Sequence, residues 1–412
     1  MSNSYEHLEH NEKVIIKNGI AMSLVQNISN NYFSLFAISV LGITNFQVGL
    51  ISSLPQIIGL FGTIIGSMII NNLEEKKKFT AFSFLITRLF LLLMATVIFL
   101  PEAWQGWVFV SLIGLMNLPG SIAQMSWQSF IGDIIPDSQR NQFFSKRNRI
   151  NTLVGLIATT IVGITLQQFA PDNYMPFQFL FIIALFIGFV EFRYLLKHKE
   201  KKRIVKERKK MNLGLFVFKH KPFVAFLIVS LSFNFAWQMA WALFSIYNIT
   251  YAGATALWLS LFTISSQLAQ VLSFKWWAKM ADKHSTAKML FMATVGMALT
   301  PFLTVLSLNL PYLVFVNALA GFSLSGTVLL LFNQLLEVTT KENRTEAISN
   351  YNILLAIIAF ISPQVGVWIL EISNMTVAMN VSASLRFLTG FMFLGLFYYL
   401  KKTKQMQIKT GD

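Results

Sequence analysis

Residues 18–73 read NGIAMSLVQNISNNYFSLFAISVLGITNFQVGLISSLPQIIGLFGTIIGSMIINNL and carry no charged side chain over 56 positions. An α-helix that crosses a bilayer needs about 20 predominantly apolar residues. The stretch therefore predicts two membrane-spanning helices, joined by a turn near residues 43–45. Residues 222–274 and 289–336 are also uncharged, and each predicts a further pair of helices.

The amino-acid composition is that of a membrane protein. Of the 412 residues, 55% are hydrophobic and only 12% are charged, about half of the charged share of soluble proteins. A soluble chain of this length needs polar residues to cover two or three domains, so a soluble enzyme or binding module is excluded. The chain has no Cys, and its five His lie in polar segments. We therefore expect neither a metal site nor a cofactor.

The uncharged stretches and the turn residues between them predict an all-α polytopic membrane protein with twelve transmembrane helices. Their predicted ranges are 18–42, 46–71, 79–100, 106–132, 150–169, 176–196, 222–246, 254–275, 289–308, 311–335, 350–370 and 383–400.

The basic residues are concentrated on one side of the membrane. When the loops between the twelve helices are assigned alternately to two sides, one side holds 30 of the 33 Lys and Arg residues. The positive-inside rule places that side, with both termini, in the cytoplasm. The net charge of +15 then reflects topology, and we expect membrane lipids, not nucleic acid, as the partner of these charges.

The basic run Lys197–Lys210 divides the chain into two halves of six helices. We expect this run to lie beside anionic lipid headgroups, and a regulatory or partner-binding role is the alternative. The predicted segments are a cytoplasmic tail at 1–17, an N-terminal half at 18–196, a basic cytoplasmic linker at 197–221, a C-terminal half at 222–400 and a cytoplasmic tail at 401–412.

An internal repeat relates the two halves. An acid, an arginine and an asparagine recur with spacings of seven and eight residues, after predicted helix 4 and again after predicted helix 10. The two sets are Asp133, Arg140 and Asn148 and, 204 positions later, Glu337, Arg344 and Asn352.

These features resemble the major facilitator superfamily of secondary transporters over residues 15–402. The family's loop motif between helices 2 and 3 has the form Gly-x-x-x-Asp-Arg-x-Gly-Arg-Arg. In the first half Asn71 takes the Asp position and Lys76–Lys78 replace the basic cluster. The second copy fits better, with Asp282 and Lys288, although Ser285 replaces a Gly. The resemblance implies two pseudo-symmetric six-helix halves, a monomer and no enzymatic activity; the composition favours a bacterial membrane.

Polar stripes mark the candidate binding residues, because polar side chains at membrane depth usually face a cavity or a neighbouring helix. Members of the superfamily bind substrate on helices 1, 4, 7 and 10. Amides and one indole occupy helices 1, 4 and 7 here; hydrogen bonding between helices is the alternative explanation. The candidates are Asn27, Asn30, Asn31, Gln124, Gln128, Asn234, Gln238 and Trp241.

Three charged positions lie inside or at the rim of predicted helices. Arg88 lies about ten residues into helix 3, where an unpaired Arg is costly, and both a structural and a coupling role are open. Glu191 and Arg386 lie near helix ends, where long side chains are expected to reach water. No acid occupies the central third of a predicted helix, which disfavours proton-driven drug efflux.

Similar acids in the superfamily pair with the basic loop motif and release it as the transporter changes state. The resemblance therefore implies two cytoplasmic gates; simple capping of helices is the alternative. The gating candidates are Asp133, Arg140, Lys77, Asp282, Lys288, Glu337 and Arg344.

The function that the resemblance implies is transport of a small organic solute by alternating access. Stripes of amides and indoles without charge favour export of a drug or metabolite. Uptake of a sugar or a similar neutral solute is the alternative.

Overall fold

The computed structural model describes the backbone of residues 2–70, 72–135, 137–200, 215–340 and 343–410. Within these ranges it describes all side chains except those of 2–8, 132–133, 137–141, 215 and 403–410. Asn71 and the side chains of Asp133 and Arg140, three of the positions singled out above, lie outside the described part.

The chain forms two compact units, and the described part contains helices but no strands. Unit 1 comprises residues 1–210 with 255–260, and unit 2 comprises 211–254 with 261–412. The helices of the first half are α1 (Ser2–Ile28), α2 (Phe33–Ser39), α3 (Asn45–Ile70), α4 (Lys77–Thr96), α5 (Glu102–Ile134), α6 (Asp137–Leu166) and α7 (Met175–Leu196).

The second half repeats this pattern. Its helices are α8 (Lys221–Gln238), α9 (Trp241–Ile246), α10 (Ala256–His284), α11 (Thr286–Thr304), α12 (Leu310–Glu337), α13 (Arg344–Ile372) and α14 (Met375–Thr410). Residues 255–260, at the start of α10, pack with unit 1.

Among the described residues, eleven helical segments are long and apolar enough to cross a membrane. The remaining predicted helix is the first one, at 18–42, which corresponds to the second part of α1 together with α2. The prediction of an all-α membrane protein with two six-helix halves is confirmed.

The first and the seventh predicted helices are both broken near their middle. A 3₁₀ turn at Asn30–Tyr32 separates α1 from α2. Two turn residues, Met239 and Ala240, separate α8 from α9, and a π-helical turn at Tyr247–Tyr251 follows. Broken helices are tolerated at membrane depth only where neighbouring groups satisfy the freed backbone, so both breaks mark positions under special constraint.

The first and the last helix of the chain, α1 and α14, extend beyond their predicted boundaries. Residues 2–17, predicted as a tail, form the first turns of α1, and α14 continues to Thr410. The polar start of α1 is held by the beginning of the linker. Asn11 exchanges two hydrogen bonds with the backbone of Lys199, at 3.0 and 2.9 Å, and His10 bonds the carbonyl of Lys197.

Aromatic side chains fill the core of each unit. In unit 1 the rings of Phe36, Phe109 and Phe181 lie with their centroids 5.1–6.4 Å apart. In unit 2 Phe233 packs on Phe393 at 5.9 Å. Such pairs add about 0.5–1.5 kcal/mol each to the energy of burial, which matters in lipid, where helix association relies on packing.

Candidate functional site

In unit 1 the polar stripe of helix 1 lies at the break between α1 and α2. The Asn27 side chain accepts hydrogen bonds from Thr159 of α6 at 3.0 Å and from Asn31 at 3.2 Å. Its own amide nitrogen donates to the carbonyl of Ser23 at 2.8 Å. Asn27 therefore forms hydrogen bonds between helices of unit 1, which is the alternative to a role in substrate binding.

Asn30 and Asn31 differ from Asn27 because both are exposed. The 3₁₀ turn that contains them is anchored by its last residue, Tyr32, whose hydroxyl donates to the carbonyl of Thr159 at 2.9 Å. The break therefore presents two neighbouring amides at the surface of unit 1, on a turn that α6 holds in place.

Helix 4 contributes less than its sequence stripe indicates. Gln128 is exposed and Gln124 is half-buried, whereas Trp127 is buried in the core of unit 1. The indole of Trp127 stacks against the buried guanidinium of Arg147, 4.3 Å from the ring centroid. Arg147 belongs to the 30 basic residues on the predicted cytoplasmic side, and nothing in its spacing shows that it lies against an indole.

In unit 2 the candidates lie along α8 and at its break. Asn234 is buried, and its amide nitrogen bonds the carbonyl of Ser230 at 2.8 Å and the hydroxyl of Tyr351 at 3.4 Å. Tyr351 of α13 also bonds the Ser230 hydroxyl at 3.0 Å. These contacts tie α8 to α13 and use Asn234 for packing.

Gln238, the last residue of α8, is different. It is only 3% exposed, and its amide oxygen has no hydrogen-bond partner in the described part of the chain. A buried amide oxygen without a partner costs about 1–3 kcal/mol. Trp241 follows immediately after the break and packs edge-on against Trp237, with centroids 5.9 Å apart.

Arg88 has a partner that the sequence did not reveal. Its guanidinium forms a two-pronged ion pair with Glu191 of α7, at 2.9 and 3.4 Å. Both residues are buried, at 4% and 0% exposure. The expectation that Glu191 reaches water is therefore wrong, because α7 packs this face against α4. Gly188 makes room for the stem of Arg88, which a Cβ at that position would contact closely.

The expectation for Arg386 is also wrong. The residue lies well inside α14, is 0% exposed, and donates hydrogen bonds to backbone carbonyls of α8 and α11. The predicted helix begins at residue 383, which places Arg386 at its end. In the structure α14 begins at Met375, eleven positions before Arg386.

At the basic end of unit 1, the gating candidate Lys77 lies at the start of α4. The carboxylate of Glu200 accepts hydrogen bonds from the backbone amides of Lys76 and Lys77, both at 2.9 Å. The Lys77 ammonium donates to the carbonyl of His198 at 3.0 Å. An acid at a helix N-terminus is favourable electrostatically, so the linker start (residues 197–200) caps α4.

At the basic end of unit 2, Glu337 lies at the end of α12. It accepts hydrogen bonds from the Thr286 hydroxyl at 2.5 Å and from Gln334 at 3.2 Å. Thr286 opens α11, so Glu337 contacts the N-terminus of that helix. Ser285, the residue in place of the motif's Gly, has a φ of +96°, a region in which L side chains are strained.

The remaining gating candidates lie around the same helix ends. Asp282 and Glu337 line a cavity of about 690 Å³. The Lys288 ammonium lies over the ring of Phe397, 5.6 Å from its centroid. Arg344 opens α13. In the described part of the chain no group of three His, Cys, Asp or Glu residues is arranged to hold a metal ion.

The model of the Major Facilitator Superfamily matches residues 18–276 and 253–411. The chain belongs to the Major Facilitator Superfamily. This family member is a multi-pass membrane transporter, and the family that matches is not a family of enzymes. No curated protein matches the chain in sequence.

Solved structures share the transporter's fold at low identity. The nucleoside transporter NupG is 13% identical, with 94% of this chain and 99% of that chain covered at a TM-score of 0.74. The D-xylose-proton symporter is 14% identical, covering 93% and 96% at 0.67. A POT family transporter in complex with 5-aminolevulinic acid is 14% identical, covering 93% and 96% at 0.68. At such identities the likeness shows the fold and not the substrate.

Proposed function

We propose that this transporter moves a small, uncharged organic solute across the cell membrane by alternating access, with both termini in the cytoplasm. The observation that supports this most directly is the pair of helix breaks. In unit 1 the break presents the exposed amides of Asn30 and Asn31, of which Asn31 also donates to Asn27 and Thr159. In unit 2 the break carries the amide oxygen of Gln238, which has no hydrogen-bond partner in the described part of the chain.

The chemistry of these groups supports an uncharged solute. Amides both donate and accept hydrogen bonds, and Trp241 next to Gln238 offers an apolar face. Arg88, the charge in the middle of predicted helix 3, forms an ion pair with Glu191. It therefore does not need an ionic substrate to balance its charge. Asn27 and Asn234 are committed to neighbouring helices, so we assign them a structural role.

Export of a drug or metabolite is the direction that we propose first, because the polar groups at the breaks are amides without a charge. Uptake of a sugar or nucleoside is the second candidate. Proteins that carry a nucleoside and D-xylose share this fold, and amide side chains suit their hydroxyl groups. We propose a monomer whose partners are the solute and membrane lipids.

Transport into proteoliposomes tests the proposal. The purified chain is reconstituted and offered a panel of labelled nucleosides, sugars and neutral drugs, with and without an imposed proton gradient. We expect saturable uptake or efflux of one class above protein-free liposomes. The proposal would be contradicted if none of these classes of solute moved in either direction. Movement of sugars or nucleosides into the vesicles, without movement of neutral drugs, would replace export by the second candidate.

A further inference from the structure

Arg386 is a completely buried cation whose counter-charge is not a carboxylate. In the described part of the chain no acid lies within ion-pair distance of it, whereas the buried Arg88 has Glu191. A lone charge at this depth is costly, so the groups that surround Arg386 must compensate for it.

The compensating groups are backbone carbonyls. The guanidinium donates to the carbonyl of Trp237 at 2.8 Å and to that of Ala236 at 3.4 Å. On its other side it donates to the carbonyl of Met297 at 2.7 Å and to the Thr300 hydroxyl at 3.2 Å. Four donor contacts thus connect α14 with both α8 and α11.

The two carbonyls on α8 belong to its last turn, immediately before the break. The last carbonyls of a helix have no intrahelical partner, and the helix dipole gives that end a partial negative charge of about half an electron. The hydroxyl of Ser382, one turn before Arg386, also donates to the Ala236 carbonyl, at 2.7 Å. Among the described residues, the Trp237 carbonyl otherwise accepts only a long backbone bond from the Ala240 amide, at 3.4 Å. Arg386 and Ser382 therefore supply further donors to the end of the interrupted helix.

A second neighbour closes the break from another side. Gly366 of α13 lies directly against the carbonyl of Met239, where an added Cβ would collide with that oxygen. The chain at Met239 and Ala240 is buried, at 0% exposure for both. The interruption of α8 is thus held by α13 and α14.

We propose that Arg386, assisted by Ser382, is a positioning residue for the solute site: it ends α8 at Gln238 and thereby fixes the direction of the Gln238 amide and of Trp241. Arg386 does not touch the solute. The role of Gln238 and Trp241 rests on the proposed function, but the role of Arg386 in fixing the break does not.

Cysteine labelling tests the position of the break without any substrate. The chain has no native Cys, so a single Cys at the buried Ala240 reports local opening. A Cys at Ala293, which is 0% exposed in α11, reports unfolding of the whole unit. Both are treated with a small maleimide in the purified full-length protein.

We expect Arg386→Met, which keeps the volume but removes every donor, to raise the labelling rate at position 240 at least tenfold. The rate at position 293 should stay within about twofold. Ser382→Ala should raise labelling at 240 by a smaller factor, about two- to fivefold. Arg386→Lys should restore part of the protection, since it keeps the charge and three donors but lacks the planar fork of five donors that the guanidinium offers to α8 and α11.

Thr389→Ala is the matched control, because the Thr389 hydroxyl bonds only carbonyls of its own helix, those of Leu385 and Arg386. Its labelling should equal that of the parent. Unchanged labelling at 240 in both Arg386→Met and Ser382→Ala overturns the proposal. So does an equal rise at 240 and 293, which would make Arg386 a general support of the unit. If the parent shows no transport in proteoliposomes while the labelling pattern holds, only the proposed function fails.

Discussion

At the scale of single residues, amides of the same type have different uses that only their contacts distinguish. Asn27, Asn31, Asn234 and Gln238 share spacing and depth in the sequence. Asn234 is nevertheless bonded to Tyr351, whereas the amide oxygen of Gln238 has no partner among the described residues. The sequence predicts that a polar face exists on each helix. It cannot predict which amide is used in packing, because that depends on residues more than a hundred positions away.

This difference predicts opposite effects for two neighbouring substitutions. Gln238→Ala should raise the half-saturation concentration of transport about 5- to 150-fold, since one lost hydrogen bond to the solute is worth about 1–3 kcal/mol. Its melting temperature should not fall. Asn234→Ala should lower the melting temperature, because it leaves Tyr351 and Ser230 short of a partner.

Proteoliposome kinetics and thermal melting of the two variants provide the measurement. Gln238→Ala with parental kinetics and a lowered melting temperature would move Gln238 to the packing residues.

Arg88 raises the same question for a charge. Removing one member of a buried ion pair leaves an uncompensated charge and costs about 3–5 kcal/mol, whereas replacing both can be neutral. We therefore expect Arg88→Met and Glu191→Met each to lower the melting temperature strongly, and the double variant to recover most of the loss. If the double variant is stable and transports at the parental rate, the pair is structural. A stable double variant that binds solute but does not transport it would assign the pair to coupling.

At the scale of elements, the linker start (residues 197–200) is fixed to unit 1 through several backbone contacts. His198 is buried at 1% exposure, and its Nδ1 bonds the carbonyl of Leu195 at 2.9 Å. Its ring packs edge-on against Phe130, with centroids 5.1 Å apart. The sequence predicted a solvated basic linker here because its charge is high, but the first four residues are held by Asn11 and by the start of α4.

The burial of His198 predicts a pH-dependent contact. Burial is the main cause that lowers the pKa of this imidazole from 6.5 to about 4. The charges of Lys77 and His10 act in the same direction, and the hydrogen bond to Leu195 opposes the shift. A detached linker start has an ordinary His, which binds a proton below about pH 6.5. The detached state is therefore favoured increasingly as the pH falls from 6.5 to 4, by up to about 3 kcal/mol.

Hydrogen–deuterium exchange of the segments around residues 76–80 and 197–200, corrected for intrinsic rates, measures this opening. Protection should decrease between pH 6.5 and pH 4.5 in the parent. His198→Asn keeps a donor near the Nδ1 position and cannot titrate, so its protection should not change over that range. A parallel loss of protection in both proteins would show that another group is responsible.

At the scale of the whole molecule, the fold follows from the sequence more fully than the site does. Uncharged stretches about 50 residues long admit only pairs of membrane helices, and the repeat at an offset of 204 positions fixes two halves. The breaks at Asn30–Tyr32 and at Met239 and Ala240 contain no Pro. The first is anchored by Tyr32 to Thr159, and the second is contacted by Arg386 and Gly366. Local sequence does not encode these tertiary contacts.

The charge distribution makes the last prediction, which concerns the orientation of the whole chain in the membrane. Loops rich in Lys and Arg stay in the cytoplasm. His284 is the last residue of α10 and lies between Lys283 and Lys288. The loop that contains Asp172 joins α6 to α7 at the other end and has no basic residue. Both positions are exposed. Since the chain has no Cys, Asp172→Cys and His284→Cys form a matched pair. In intact cells a membrane-impermeant maleimide should label Asp172→Cys alone, and after permeabilisation it should label both. The opposite result would be labelling of His284→Cys in intact cells, with Asp172→Cys protected until the membrane is permeabilised. It would show that the basic ends of the helices face away from the cytoplasm and would contradict the proposed topology.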